Sequence, residues 1–241
     1  VIGGYTWLTG RVPLPMRWTL GYHQCRWSYK TEAEVRQLAA DFRRYEIPCD
    51  AIYFDIDYMD GYRVFTWNKE NFTDPDRLIA DLKEQGFQAV TIIDPGVKKD
   101  EDYYVYREGI DHNYFAKDAN GDVYINAVWP GDSAFPDFGR QEVRDWWGEK
   151  HQFLLDKGIM GVWNDMNEPA SFNGPLPDDV VFSEEDEVTN HKWMHNVYGH
   201  NMSRATYQGL RKLSDKRPFV ITRACYSGTQ KYATVWTGDN N

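Results

Sequence analysis

Six short β-rich runs punctuate this chain: RWTLGYH (17–23), AIYFDID (51–57), QAVTIID (88–94), IMGVWND (159–165), PFVITR (218–223) and TVWTGD (234–239). Amphipathic stretches with recognisable helix ends lie between them. Thr31 followed three positions later by Glu34 is a capping box, after which Val35, Leu38, Ala39 and Phe42 fall on one helical face. Asp74 and Pro75 open a second helix with Leu78, Ile79 and Leu82 as its apolar stripe and Gly86 at its C-terminal end. Residues 140–157 repeat the pattern with Val143, Trp146, Trp147, Phe153 and Leu154, closed by Gly158, and residues 190–213 supply another helix. Strand, helix and strand in succession imply parallel strands joined by crossovers, so the fold class is α/β, within one domain at this length.

Two connections are longer than a helix needs. Residues 97–137 carry the turn signal DANGD between aromatic and β-branched runs and read as an inserted β subdomain after the third strand. Residues 170–189 read as a long loop with a solvated acidic patch.

Five of the six runs end on ionisable residues: Asp55 and Asp57, Asp94, Asp165, Arg223 and Asp239. A buried strand that stops on a charge must bring it to water or to a partner, and in parallel α/β folds the strand C-termini share the face where sites are built. Asp57 is assigned the ordinary role of capping the following helix. The others, flanked by Trp27, Trp129, Trp163 and Trp236, describe an aromatic-walled pocket lined with carboxylates. Such a pocket suits sugars, whose C–H faces pack on indoles and whose hydroxyls donate to carboxylates. Two acids across a glycosidic bond would supply a nucleophile and a proton donor.

Alternatives differ in what they require. A Mg²⁺-dependent barrel hydrolase or lyase could use the carboxylates of DIDYMD and NDMNE, but it calls for a phosphate or carboxylate grip, and the chain has neither a Gly-rich phosphate loop nor a Lys cluster. A sugar-binding module would ordinarily be a small β-sandwich, against the alternation seen here. His191 and His195 stand at i, i+4 without the Glu of a zinc-binding HExxH and read as packing residues. A formal net charge of −10 disfavours nucleic acid and anionic membranes as partners. Cys25, Cys49 and Cys225 are odd in number and show no CxxC spacing, which points to a reducing compartment, the cytoplasm. The opening Val-Ile-Gly-Gly, without an initiator Met or a signal-peptide layout, reads as the interior of a longer polypeptide.

Taken in order and spacing, YHQCRWSY, DIDYMD, VWPGDSAFPDF, GVWNDMNEP and the terminal VWTGDN resemble the retaining α-glucosidases of glycoside hydrolase family 31. The resemblance implies a (β/α)8 TIM barrel that hydrolyses α-glucosidic bonds of oligosaccharides through a covalent glycosyl-enzyme, with no metal and no organic cofactor. It makes Asp165 the nucleophile and Asp239 the acid and then base. Asp55, Asp94 and Arg223 would hold sugar hydroxyls, and Trp27, Ile92, Trp129, Trp163, Met166, Phe172 and Trp236 would line the pocket. Glu168 would support the loop of the nucleophile. Arg223 is expected to keep Asp165 ionised and Trp236 to bury Asp239 in part.

Family members carry domains before and after the barrel and two further strands with a substrate-binding His. The chain is therefore expected to be a catalytic-domain segment, with residues 1–16 a lead-in from a preceding domain and 17–241 about six of the eight barrel strands. Met166 and the DIDYMD form favour glucosidase over α-xylosidase.

Overall fold

The computed structural model describes residues 1–239; Asn240 of the VWTGDN motif and Asn241 lie outside them. Its elements in chain order are α1 (Ile2–Thr9), β1 (His23–Gln24), α2 (Glu32–Arg44), β2 (Ala51–Phe54), α3 (Pro75–Glu84), β3 (Gln88–Ile93), β4 (Val97–Lys98), α4 (Tyr104–Asp111), β5 (Ile125–Val128), β6 (Gly131–Ala134), α5 (Gln141–Lys150), α6 (Gln152–Leu155), β7 (Gly161–Asn164), β8 (Val181–Glu184), β9 (Glu187–Asn190), α7 (His191–Leu213), β10 (Val220–Thr222) and β11 (Thr234–Val235). Six of the strands form one sheet in the order β1-β2-β3-β7-β10-β11, every neighbouring pair parallel. No helix among the described residues is long and apolar enough to cross a membrane.

Local chemistry sets the helix ends as the sequence implies. Thr31 accepts from the Glu34 N–H at 3.2 Å, while Glu34 reaches back to the N–H of Lys30 rather than to that of Thr31 itself. Asp74 accepts from the Arg77 N–H, and Gly86 follows α3 at φ +85°, in the left-handed region where a Cβ is penalised.

The four central strands of the large sheet, β2, β3, β7 and β10, divide their side chains between two cores. Phe54 and Val162 face outward with Leu78, Ile79, Leu82, Val143 and Trp147 into the main core between sheet and helices. Ala51, Tyr53, Val90 and Phe219 form a smaller cluster on the other face, with Met16, Trp18, Trp163 and Ile221 against it. Gly161 belongs to this inner face by necessity: a Cβ there would lie 2.6 Å from the Phe219 ring.

Two expectations need correction, and a third is borne out with an addition. The first run, RWTLGYH, is a 3-10 helix over Arg17–Leu20 followed by a two-residue strand, because Thr19 and Gly21 close i,i+3 turns onto Met16 and Trp18. The inserted subdomain is a three-stranded antiparallel sheet, β4-β6-β5, but it also contains the amphipathic helix α4, whose Val105, Tyr106 and Gly109 are buried. The 170–189 segment is not loop throughout, since β8 and β9 pair as an antiparallel hairpin. Its acidic run is not wholly solvated either: Glu185 accepts from the buried Arg144 at 2.7 Å.

Helices α5 and α7 cross where Gly148 meets Gly209, and a Cβ on Gly209 would stand 2.4 Å from the Gly148 Cα. Helix propensity alone favours alanine over glycine by about 1 kcal/mol. The obstacle is backbone, which cannot swing aside, so overpacking wins. Gly209→Ala is expected to lower stability by about 1–3 kcal/mol, seen as a reduced urea midpoint at unchanged m.

Candidate active site

Side chains two residues apart on a strand share a face, and this periodicity builds the site. Tyr53, Ile92, Trp163 and Ile221 occupy the four central strands, and in register Ile92 stands beside Trp163 and Trp163 beside Ile221. Two residues further along come Asp55, Asp94, Asp165 and Arg223, one layer nearer the strand C-termini. The inner wall below them is aromatic: Trp163 meets Trp236 edge-on at 5.5 Å and Tyr53 at 6.1 Å. A cavity of about 260 Å³ lined by His23, Cys25, Tyr53, Trp163, Ile221 and Trp236 opens there.

Arg223 is the hub. Its Nε and Nη2 donate to the two oxygens of Glu168 at 2.8 and 3.0 Å, its Nη1 reaches Asp239 Oδ2 at 2.5 Å, and its Nε stands 3.5 Å from Asp165 Oδ1. Burial works against the guanidinium charge, but Glu168, Asp165 and Asp239 outweigh it and hold its pKa above the ordinary value. Glu168 and Arg223 thus form a bidentate pair.

The carboxylates divide by burial. Asp165 is 7% exposed, and burial pushes its carboxyl up to about 6 although Arg223 and the Met166 N–H pull it down. Arg223 was expected to keep Asp165 ionised; its pull is real but desolvation is larger. Asp94 is fully enclosed, and burial, with Asp165 and Asp55 adding repulsion, raises it well above the carboxylate range. Its Oδ1 has no hydrogen-bond partner among the described residues, nor has Asp165 Oδ1. Buried oxygens without a partner are uncommon in folded proteins. Asp239 is different: its side chain is 66% exposed, so Trp236 does not bury it, and its contact is the ion pair with Arg223.

Asp55, not Asp57, does the capping. Its carboxylate accepts from the Ile56 N–H at 2.8 Å at the start of the short 3-10 helix Ile56–Tyr58. Burial still raises Asp55 to about 6, with Asp57 and Asp239 adding to the shift. Folding therefore takes up a proton between the ordinary value of 3.8 and about 6, and the wild type loses stability as pH rises through that window. Asp55→Asn keeps an acceptor for Ile56 and removes the charge. The variant is expected to be more stable by about 2 kcal/mol at pH 7 and equal to the wild type below about pH 3.5, read from urea midpoints.

The residues after Asp165 are locked from several sides. Met166 adopts φ +54°, a strained choice for a non-glycine residue. Asn167, fully buried, exchanges hydrogen bonds with Thr222 at 2.9 and 3.3 Å, which ties the turn after β7 to the end of β10.

The other tryptophans stand apart from the inner wall. Trp27, 70% exposed, meets Trp129 at 5.7 Å, and Trp129 meets Phe172 edge-on at 5.0 Å. Phe172 is held there by its N–H to Ala127 O, so the segment between β1 and α2, the inserted sheet and the loop after β7 converge on one rim. The sequence reading missed His23, Cys25, Tyr53 and Ile221. Tyr53 and Ile221 carry a signal, since each precedes a predicted site residue by two positions; His23, whose Nδ1 lies 3.1 Å from the Tyr53 hydroxyl, carries none. His191 and His195 bond each other at 3.0 Å on α7, away from this cluster. Among the described residues no group of three or more His, Cys, Asp or Glu side chains is arranged to hold a metal ion.

Known proteins are similar to this chain in sequence and fold. The chain is 56% identical, over its whole length, to Alpha-glucosidase 2 of Bacillus thermoamyloliquefaciens, of which it covers 31%. It superposes with a TM-score of 0.92 and 36% identity on a glucosidase II alpha subunit solved with Glc1Man2, covering all of this chain and 27% of that one. A GH31 dextranase of Flavobacterium johnsoniae, solved with isomaltotriose, gives 0.91 and 34% over 99% of this chain and 29% of that one. The chain thus spans about a third or less of the length of these relatives. In that setting its six parallel strands are six of the eight of a (β/α)8 barrel. The model of the glycosyl hydrolases family 31 TIM-barrel domain matches residues 12–241, and the chain belongs to that family.

Proposed function

We propose that the protein carrying this chain is a retaining, exo-acting α-glucosidase that releases glucose from oligosaccharides. The observation that carries the reading is the convergence of Asp165 and Asp239 on one guanidinium, above an aromatic wall and beside two further buried carboxylates. Asp165 Oδ attacks the anomeric carbon of the terminal glucose as the bond to the leaving oxygen breaks, and Asp239 gives that oxygen its proton. The product of this half is a β-linked glucosyl ester on Asp165. Water then displaces the carboxylate while Asp239 takes its proton, and glucose leaves with the α configuration it began with.

The surrounding groups suit these roles. Asp165 sits at the end of a buried strand with its backbone fixed through Asn167, which holds the attacking oxygen in place. Asp239 is exposed and reaches its partner from outside, so it can turn toward a leaving group or a water. Asp94, whose buried Oδ1 has no partner among the described residues, and Asp55 would hold hydroxyls of the same sugar. Trp27, Trp129 and Phe172 would frame the entrance, and Trp163, Trp236, Ile92 and Met166 the pocket itself. All three cysteines are free, which supports a reducing compartment, the cytoplasm, as its location.

The test is hydrolysis of p-nitrophenyl α-D-glucoside by the full-length protein, with proton NMR of the first-formed glucose anomer and the α-xyloside as comparison. α-Glucose appearing first supports the reading. β-Glucose first would require inversion, and turnover of the xyloside alone would make the protein an α-xylosidase.

A further inference from the structure

Beside the rim, a groove of about 560 Å³ runs between residues 26–30 and α2, a size within the ~300–1,000 Å³ of small-molecule sites. Trp27 belongs to both, meeting Trp129 on the rim and lining the groove. Tyr29 and Leu38 give the groove an apolar surface, and on α2 Gln37 Nε2 donates to Asp41 Oδ1 at 3.0 Å, so an amide and a carboxylate stand together one turn apart. Ser28 also lines it; the residue is 7% exposed, and its hydroxyl has no hydrogen-bond partner among the described residues.

Charge narrows the ligand class. Arg26 and Lys30 are balanced by Glu34 and Asp41, so the groove attracts neither anions nor cations as a whole. An exposed indole beside an amide and a carboxylate fits a neutral, hydroxyl-rich chain. We infer that this groove binds the distal sugar units of an oligosaccharide whose terminal glucose lies in the carboxylate cluster, an inference that rests on the α-glucosidase reading.

The experiment compares KM values of the full-length protein for p-nitrophenyl α-D-glucoside and for malto- and isomalto-oligosaccharides of two to six units. The same values are measured for Gln37→Ala and Asp41→Ala. Gln37 is exposed on α2, so its truncation leaves the fold intact. The ratio of KM for the longest oligosaccharide to KM for the aryl glucoside is expected to rise about fivefold in each variant, the worth of a hydrogen bond. An active wild type whose ratio is unmoved by both substitutions overturns the groove alone. A wild type inert on every glucoside overturns the glucosidase reading and takes this inference with it.

Discussion

Asp165→Ala is expected to lower kcat on p-nitrophenyl α-D-glucoside by at least about 10⁴-fold, since a nucleophile removed from a covalent mechanism leaves only binding and electrostatic effects. The loss is chemical rather than structural. Asp165 is a buried carboxylate whose burial already pushes it up to about 6, so replacing it by a neutral methyl removes a desolvated charge instead of a stabilising contact. Urea midpoints of the variant should therefore not fall below those of the wild type at pH 7. Sodium azide supplies the sharper check. A small anion entering the space vacated by the carboxylate attacks the anomeric carbon from the same side, with Asp239 still protonating the leaving group, so the product is β-glucosyl azide. A loss of less than about tenfold, or recovery with the α-azide, would remove Asp165 from the nucleophilic role.

How much of this was legible in the chain depends on what fixes each feature. Asp55, Asp94, Asp165 and Arg223 could be picked out because a strand that ends on a charge is costly unless that end is used, and all four do lie at the C-termini of neighbouring parallel strands. Capping was only half legible. The Thr31 and Asp74 caps follow from neighbours one turn away, whereas the choice between Asp55 and Asp57 depends on where β2 stops, and it stops one residue before Asp55. The first strand was overread because RWTLGYH alternates like a strand, yet Thr19 and Gly21 turn back on Met16 and Trp18 before pairing with β2 begins. The β8–β9 hairpin was missed for a different reason. Its acidic residues look solvated in isolation, and only tertiary contact shows that Arg144, buried in α5, needs Glu185 as its partner. The division of the tryptophans into an inner wall and an outer rim likewise depends on loops from three segments meeting in space.

Asp239→Ala should separate substrates by leaving group. For oligosaccharides, whose departing alkoxide needs a proton, kcat/KM is expected to fall by about 10²–10⁴-fold, the usual worth of a positioned acid. For 2,4-dinitrophenyl α-D-glucoside, which departs unaided, kcat/KM should stay near the wild-type value. Its second step still lacks a base to activate water, so the glucosyl ester on Asp165 accumulates and both kcat and KM drop together. The exposure of Asp239 makes the substitution structurally mild, and the freed guanidinium retains its bidentate pair with Glu168. Azide again distinguishes the roles, because an anion needs no base: it attacks the accumulated β-linked ester from the opposite side and yields α-glucosyl azide. The two variants thus predict glucosyl azides of opposite configuration. If Asp239→Ala gave the β-azide, or lost activity equally on both leaving groups, the acid and base role would pass from Asp239 to another residue.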